Sequence, residues 1–136
     1  MSKKRIMLVD DTPLIRFVVR SLIDQTDDLE VVATAVNGKD ALNKLDEAKP
    51  DLILTDIEMP EMDGLTFLRH LRLRSRAKTI VLSSIATAGS DKALEARKLG
   101  ANAVIAKLDG AAVISNDTSG HVVDTIRQVL GMARAS

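Results

Sequence analysis

The sequence predicts an α/β fold, in which helices cover both faces of a parallel β-sheet. Short apolar runs alternate with longer segments whose apolar residues recur every three or four positions, and this alternation repeats five times. A short run that is apolar on both faces is typical of a strand buried in a parallel sheet. The longer segments have the spacing of amphipathic helices. A regular alternation of strands and helices indicates crossover connections between parallel strands.

The predicted strands are short and end at polar residues. In chain order they cover residues 5–9, 29–35, 51–55, 79–82 and 103–106. Each run is short for a helix and bounded by polar or turn residues, which favours the strand assignment.

The predicted helices lie between and after the strands. The first begins at Thr12-Pro13, where a capping hydroxyl precedes proline at the first helical position. The others are placed by their apolar stripes, which run from Ala41 to Ala48, from Leu65 to Leu71, over residues 90–99 before Gly100, and from about Gly120 to Met132. Residues 108–118 are predicted to be irregular.

Composition limits the class of protein. The 136 residues have the size of one domain, and we expect a single domain with no output domain. Nineteen basic residues balance nineteen acidic ones, which argues against a sequence-independent nucleic-acid binder. The absence of cysteine excludes thiol catalysis and disulfide scaffolds. No apolar run reaches the ~20 residues that cross a bilayer, and the start of the chain does not read as a signal peptide. We therefore expect a cytoplasmic protein without membrane insertion.

Polar residues gather where the predicted strands end. If the strand order is 2-1-3-4-5, the ends of strands one and three are neighbours, and Asp10, Asp11 and Asp56 converge. Three carboxylates so close repel one another unless a cation binds, and Mg²⁺ with its oxygen ligands suits them. Lys107 would add a point charge for a phosphoryl oxygen, and Ser83 would add a hydroxyl donor. Together these groups predict a phosphoryl-transfer site.

These motifs resemble those of bacterial response-regulator receiver domains. Asp10-Asp11 is similar to their acidic pair, and Ser83 and Lys107 are similar to their switch hydroxyl and lysine. Their phospho-acceptor segment is similar to Asp56-Ile57-Glu58-Met59-Pro60-Glu61-Met62-Asp63-Gly64. The resemblance covers roughly residues 4–131 and is strongest toward the receiver half of chemotaxis methylesterases. It implies a flavodoxin-like (βα)5 doubly wound parallel sheet in three layers, with strand order 2-1-3-4-5.

The resemblance implies a phospho-acceptor and a metal site. Asp56 would accept a phosphoryl group from a sensor histidine kinase or a phosphotransfer protein. Asp11 and Asp56 would bind Mg²⁺ directly, together with the backbone carbonyl of Glu58. Asp10 would act on the same ion through water.

The resemblance also implies how the signal is made and ended. Lys107 and Ser83 would contact the phosphoryl group, while Glu58 and Ile85 stand where the family tunes hydrolysis of the phosphate. The phosphorylated domain would signal by contact with a downstream protein target, in chemotaxis or another pathway, and without direct DNA binding. It would be a phospho-accepting signalling protein rather than an enzyme with its own substrate.

Two positions depart from the family's pattern. Leu108 stands where proline usually follows the lysine, and Val104 stands where an aromatic switch residue is common. We therefore expect the segment Leu108–Ser119 to take over part of the switching. A second interpretation stays open, namely a phosphorylation-independent adaptor with the same fold. A phosphatase of the haloacid dehalogenase type is disfavoured, because it needs D-x-D after strand one and Asp10-Asp11-Thr12 lacks the second aspartate.

Overall fold

The computed structural model describes residues 3–57, 64–84, 91–107 and 116–132. Strands and helices alternate along these ranges as predicted, and every strand boundary lies within two residues of the predicted one. The elements are β1 (Lys4–Val9), α1 (Pro13–Asp24), β2 (Leu29–Ala35), α2 (Gly38–Ala48), β3 (Leu52–Asp56), α3 (Gly64–Arg74), β4 (Lys78–Ser84), α4 (Asp91–Lys98), β5 (Ala103–Lys107) and α5 (Asn116–Val129).

The strands form one parallel sheet in the order β2-β1-β3-β4-β5, which confirms the predicted order. β1 pairs with β3 so that Val9 lies opposite Thr55. β3 pairs with β4 so that Asp56 lies opposite Leu82. The carboxyl ends of β1, β3 and β4 therefore reach the same edge of the sheet, where β1 and β3 end within one residue of each other and β4 extends two residues further.

Both faces of the sheet are covered, which explains why the strands are apolar on both sides. On one face, strand residues pack against α2, α3 and α4 around Phe67, which is fully buried. On the other face, the intervening strand residues pack against α1 and α5 through Val19 and Ile126. Burying a side chain as large as Phe67 stabilises a fold by roughly 1.5–3 kcal/mol. Within the described ranges, every helix falls short of the length and apolarity needed to cross a bilayer.

α1 begins at Pro13 as predicted, but its cap differs from the prediction. Thr12 occupies the N-cap position, and its hydroxyl makes no capping hydrogen bond. Instead, the Thr12 N–H donates to Oδ1 of Asp10 at 2.8 Å. The Asp10 carboxylate folds back to close the turn, as aspartate side chains often do. The predicted hydroxyl cap is therefore wrong.

α5 begins earlier than the sequence predicts. It starts at Asn116 rather than at about Gly120, so residues 116–118, predicted to be irregular, are helical. Asparagine, aspartate, threonine and serine hydrogen-bond locally to the backbone and are found both in loops and at helix starts. The pattern alone consequently does not place this boundary. The predictions for Leu108 and for residues 109–115 lie outside the described residues.

Arg72 connects α3 to the start of β4 and to the turn after α4. Its Nη2 donates to the carbonyl oxygen of Ala77 at 3.2 Å and to the hydroxyl of Thr79 at 2.8 Å. Its stem passes over Gly100, which has a φ of +110°. A Cβ built on Gly100 would lie 2.8 Å from Cδ of Arg72. Glycine is thus required at this position by its backbone conformation and by the space that Arg72 occupies.

An ion pair joins the C-terminal part of α5 to the turn between α1 and β2. Nε and Nη2 of Arg127 donate to the two carboxylate oxygens of Asp28 at 3.0 and 2.9 Å. The Arg127 side chain is 14% exposed and that of Asp28 is 35% exposed. The hydrogen bonds from Arg127 hold the pKa of Asp28 below its ordinary value, because they favour the ionised carboxylate.

Candidate functional site

Three aspartates meet at the carboxyl-terminal edge of the sheet. Asp10 and Asp11 follow β1 directly, and Asp56 is the last residue of β3. One carboxylate oxygen from each lies within 4.8 Å of the other two. The structure thus brings together the three aspartates whose convergence was predicted from the strand order.

The three aspartates differ in their exposure to solvent. Asp10 is 2% exposed and Asp56 is 4% exposed, whereas Asp11 is an exposed residue. The cluster is therefore shielded from solvent at the sheet and exposed to solvent at Asp11, which is its open side. A ligand can enter from solvent and still meet two carboxylates whose surroundings are largely protein.

Hydrogen bonds hold the end of β1 in place. The Asp10 N–H donates to the carbonyl oxygen of Ala35 at 3.0 Å, which extends the pairing of β1 with β2 by one residue. Nη1 of Arg16 donates to the carbonyl oxygen of Asp10 at 2.5 Å. With the bond from the Thr12 N–H to the Asp10 carboxylate, these contacts fix the turn that carries both acids.

The end of β3 is held by its neighbour in the sheet. The Ile57 N–H donates to the carbonyl oxygen of Leu82 at 3.1 Å, so the β3–β4 pairing continues past Asp56. The hydroxyl of Thr55, which is fully buried, donates to the carbonyl oxygen of Asp56 at 3.0 Å. Asp56 is therefore presented by a strand whose backbone is bonded on both sides of it.

The donor set suits a hard divalent cation. Three carboxylates within one ion's reach supply oxygen ligands and up to three negative charges, and Mg²⁺ is bound in proteins by one or two such carboxylates with water. Without a cation these charges repel one another. The residues present therefore fit a magnesium ion, and they fit a soft metal poorly, since the cluster offers neither imidazole nor thiolate.

The other predicted site residues are described only in part. Ser83 and Lys107 lie near the carboxyl ends of β4 and β5, where Ser83 is opposite Ala106 and Ser84 is opposite Lys107. They are the last or next-to-last residues of their strands, rather than the residues after them as predicted. The side chains of Ser83 and Lys107 lie outside what the structure describes, as do Glu58 and Ile85.

Arg16 is a contact of the site that the sequence pattern does not indicate. It stands on α1 beside the apolar stripe that includes Ile15 and Val19, where a basic residue is normally read as solvent-facing. Its position five residues after Asp11, within the first turn and a half of the following helix, is the signal that could have found it. A helix that starts at the acidic turn brings such a side chain back toward that turn.

An apolar patch stands on α1 beside the acidic cluster. Leu14 is 44% exposed and Phe17 is 70% exposed. Residues three apart on a helix are neighbours on its surface, so these two side chains share one face. The patch begins three residues after Asp11, on the helix that follows the acidic turn. The remaining switch position, Val104 in β5, is partly buried against the core under α2, α3 and α4.

Known proteins similar to this chain include receiver-containing methylesterases. The chain is 44% identical to the protein-glutamate methylesterase/protein-glutamine glutaminase 2 of Carboxydothermus hydrogenoformans over 110 residues, which are 81% of this chain and 31% of that protein. It is 39% identical to the corresponding protein of Archaeoglobus fulgidus over 132 residues, which are 97% of this chain and 37% of that protein. The chain therefore spans about a third of the length of these relatives.

Solved structures agree with this likeness. The response regulator domain of Thermotoga maritima CheB has a TM-score of 0.87 and 31% identity, covering 97% of this chain and 99% of that one. A chain in the crystal structure of the P1 domain of CheA3 in complex with CheY6 from R. sphaeroides has a TM-score of 0.79 and 45% identity, covering 96% of this chain and 99% of that one. The family described as the response regulator receiver domain matches residues 6–116. The chain thus belongs to the response regulator receiver domains, the phospho-accepting signalling modules of two-component systems.

Proposed function

We propose that Asp56 is the phospho-acceptor of this receiver domain and that the reaction depends on Mg²⁺. The observation that carries the proposal is the cluster of Asp10, Asp11 and Asp56, with carboxylate oxygens within 4.8 Å of one another. Asp56 is buried at the end of a strand that is paired past it, so its position is fixed by the sheet. A fixed nucleophile beside a charge-neutralising centre is what phosphoryl transfer needs.

The proposed reaction forms an aspartyl phosphate. A carboxylate oxygen of Asp56 attacks the phosphorus of a phosphohistidine on the donor. The bond between phosphorus and the imidazole nitrogen breaks, and its electron pair stays on the nitrogen. Asp10, Asp11 and Asp56, with the backbone carbonyl of Glu58, would hold Mg²⁺, which when bound supplies positive charge to the phosphoryl oxygens.

Lys107 and Ser83 are the groups that we assign to the phosphoryl group itself. The support for this assignment is their place near the carboxyl ends of β5 and β4, the strands that follow β3 in the sheet. A lysine ammonium is a compact charge suited to a phosphoryl oxygen, and a serine hydroxyl donates a hydrogen bond to another. Both are expected to contact the phosphoryl group once it is bound.

The donor that we propose is the phosphotransfer domain of a sensor histidine kinase, docked against Leu14 and Phe17 of α1. An exposed apolar patch next to a charged site is typical of a protein-binding surface. A similar chain occurs in the crystal structure that contains the P1 domain of CheA3. We further propose a cytoplasmic, chemotaxis-type pathway, because the curated relatives are methylesterases of the kind that Carboxydothermus hydrogenoformans carries. Its output would be a downstream protein rather than DNA.

The phospho-acceptor assignment is tested by labelling with acetyl phosphate and MgCl₂, followed by a Phos-tag gel. The wild-type protein is expected to shift, and Asp56→Asn is expected to stay unshifted because the amide is no nucleophile. Asp24→Asn is the matched control, since Asp24 is an exposed aspartate at the end of α1, and it is expected to shift like the wild type. A shifted Asp56→Asn protein would show that another residue is the acceptor. An unshifted wild type would favour the phosphorylation-independent adaptor.

A further inference from the structure

Arg16 reaches from α1 back to the acidic turn. Its Nη1 donates to the carbonyl oxygen of Asp10 at 2.5 Å, in a partly buried position. Arg16 lines a small cavity together with Asp10 and apolar residues that include Ile15 and Leu54. Because the guanidinium is charged, this hydrogen bond is charge-assisted. The contact therefore restrains the backbone at Asp10.

The carbonyl group that Arg16 holds belongs to the peptide between Asp10 and Asp11. Rotation about the backbone bonds that flank this peptide would change the directions in which the two carboxylate side chains project. The N–H of Asp10 is bonded to Ala35 and its carboxylate accepts from Thr12. Arg16 adds a contact from α1, to the carbonyl oxygen of the same residue. Three separate bonds then define the orientation of the residue pair.

Repulsion among the three carboxylates opposes the arrangement that the hydrogen bond from Arg16 supports. Carboxylate oxygens of Asp10, Asp11 and Asp56 lie within 4.8 Å of one another, and like charges at this distance repel. Asp56 is fixed by its strand, so the repulsion acts to turn the Asp10–Asp11 segment away from it. A bond that resists this rotation keeps the carboxylates converged before a ligand arrives.

We infer that Arg16 is a positioning residue that pre-organises the acidic cluster for a divalent cation. The inference rests on the proposed function, because it concerns the same site. Positioning and simple electrostatics predict opposite effects of removing Arg16. Loss of a positioning contact weakens binding of Mg²⁺, whereas loss of a nearby positive charge strengthens it.

The test is calorimetric titration with MgCl₂ alone, accompanied by thermal unfolding of the metal-free protein. Arg16→Ala is expected to weaken Mg²⁺ binding by about ten- to a hundredfold, the effect of one charged hydrogen bond. Arg16→Lys keeps a cationic donor of similar length and is expected to stay within about twofold of the wild type. Arg20→Ala removes one exposed charge from the same helix, one turn further on, and is expected to leave the affinity unchanged.

The outcomes separate this inference from the proposed function. If Arg16→Ala lowers only the melting temperature while the Mg²⁺ affinity stays the same or rises, Arg16 is merely structural and the inference is overturned, although the magnesium site stands. If Arg16→Lys binds Mg²⁺ as weakly as Arg16→Ala, the hydrogen bond to the carbonyl oxygen of Asp10 is not the cause of the lost affinity, and the inference also fails. A wild-type protein that binds no Mg²⁺ overturns the site and the inference together.

Discussion

Replacing Gly100 with alanine is expected to lower the free energy of unfolding by about 3 kcal/mol. The φ of +110° at this position costs a residue with a Cβ on the order of 1–3 kcal/mol. The new Cβ would also lie 2.8 Å from Cδ of Arg72, so the Arg72 stem has to move. That movement breaks the hydrogen bonds from Arg72 to Ala77 and Thr79, which contribute about 1 kcal/mol each.

Gly131 provides the matched control for this substitution. It has a φ of +70°, and a Cβ built on it meets no atom within 4 Å. Gly131→Ala is therefore expected to lose only the backbone term, about 1–2 kcal/mol. Placing Gly100→Ala in an Arg72→Ala background removes the collision, and there the glycine substitution is expected to cost about 1–2 kcal/mol less than in the wild type.

The measurement is urea unfolding followed by far-ultraviolet circular dichroism, since the chain has neither tryptophan nor tyrosine for a fluorescence signal. In a thermal scan the same loss corresponds to a drop in Tm of about 10 °C. If Gly100→Ala and Gly131→Ala were equally destabilised, the collision with Arg72 would have no energetic weight. If the Arg72→Ala background made no difference, the same conclusion would follow.

Three further predictions concern the acidic cluster, the ion pair between Arg127 and Asp28, and the apolar patch on α1. A hundredfold excess of Mg²⁺ over its Kd is expected to stabilise the wild-type protein by about 2.7 kcal/mol, and Asp11→Ala to abolish the rise in Tm; an undiminished rise would contradict Asp11 as a ligand. Arg127→Ala is expected to lower the free energy of unfolding by roughly 1 kcal/mol at neutral pH, because solvent screens the exposed side of its pair with Asp28. Since Arg127 lowers the pKa of Asp28, that contribution is present above the unfolded-state value of about 3.9 and is lost as the pH falls through the lower folded-state value. A gap between the two proteins that persisted at strongly acidic pH would have another cause. Phe17→Ser is expected to slow transfer from a phosphorylated kinase domain severalfold and to leave labelling by acetyl phosphate unchanged; equal slowing with both donors would exclude docking as the reason.

The strands could be predicted because each depends on a short-range pattern, and the acidic cluster could be predicted once the strand order implied by the family resemblance was added. An apolar run predicts a strand, and the strand order then places the residues that follow β1 next to the end of β3. The convergence of Asp10, Asp11 and Asp56 could be predicted without knowledge of their side-chain conformations. The same reasoning located Gly100 at a helix end, where its positive φ is found.

Other features depend on competition between hydrogen-bond partners, which a sequence pattern does not resolve. Thr12 has the hydroxyl expected of a cap, but this hydroxyl faces Oδ1 of Asp11 at 3.5 Å and accepts no capping hydrogen bond. Asn116 begins α5 although the residues around it are equally common in loops. Arg16 is a basic residue at the margin of an apolar stripe, and its bond to Asp10 depends on the angle at which α1 leaves β1.

The pairing of Arg127 with Asp28 attaches the C-terminal part of α5 to the turn before β2. Arg127 lies eleven residues beyond Asn116, which at a helical rise of ~1.5 Å per residue is a distance of about 17 Å. A tilt of ~5° about the anchored end therefore displaces the first turn of the helix by about 1.5 Å and leaves its last turn almost still. The first turn is the end that follows β5 and Lys107 in the chain. Any tilt of α5 about its bonded end would therefore move mainly the turn that follows β5 in the chain and would leave the contact with the turn before β2 in place.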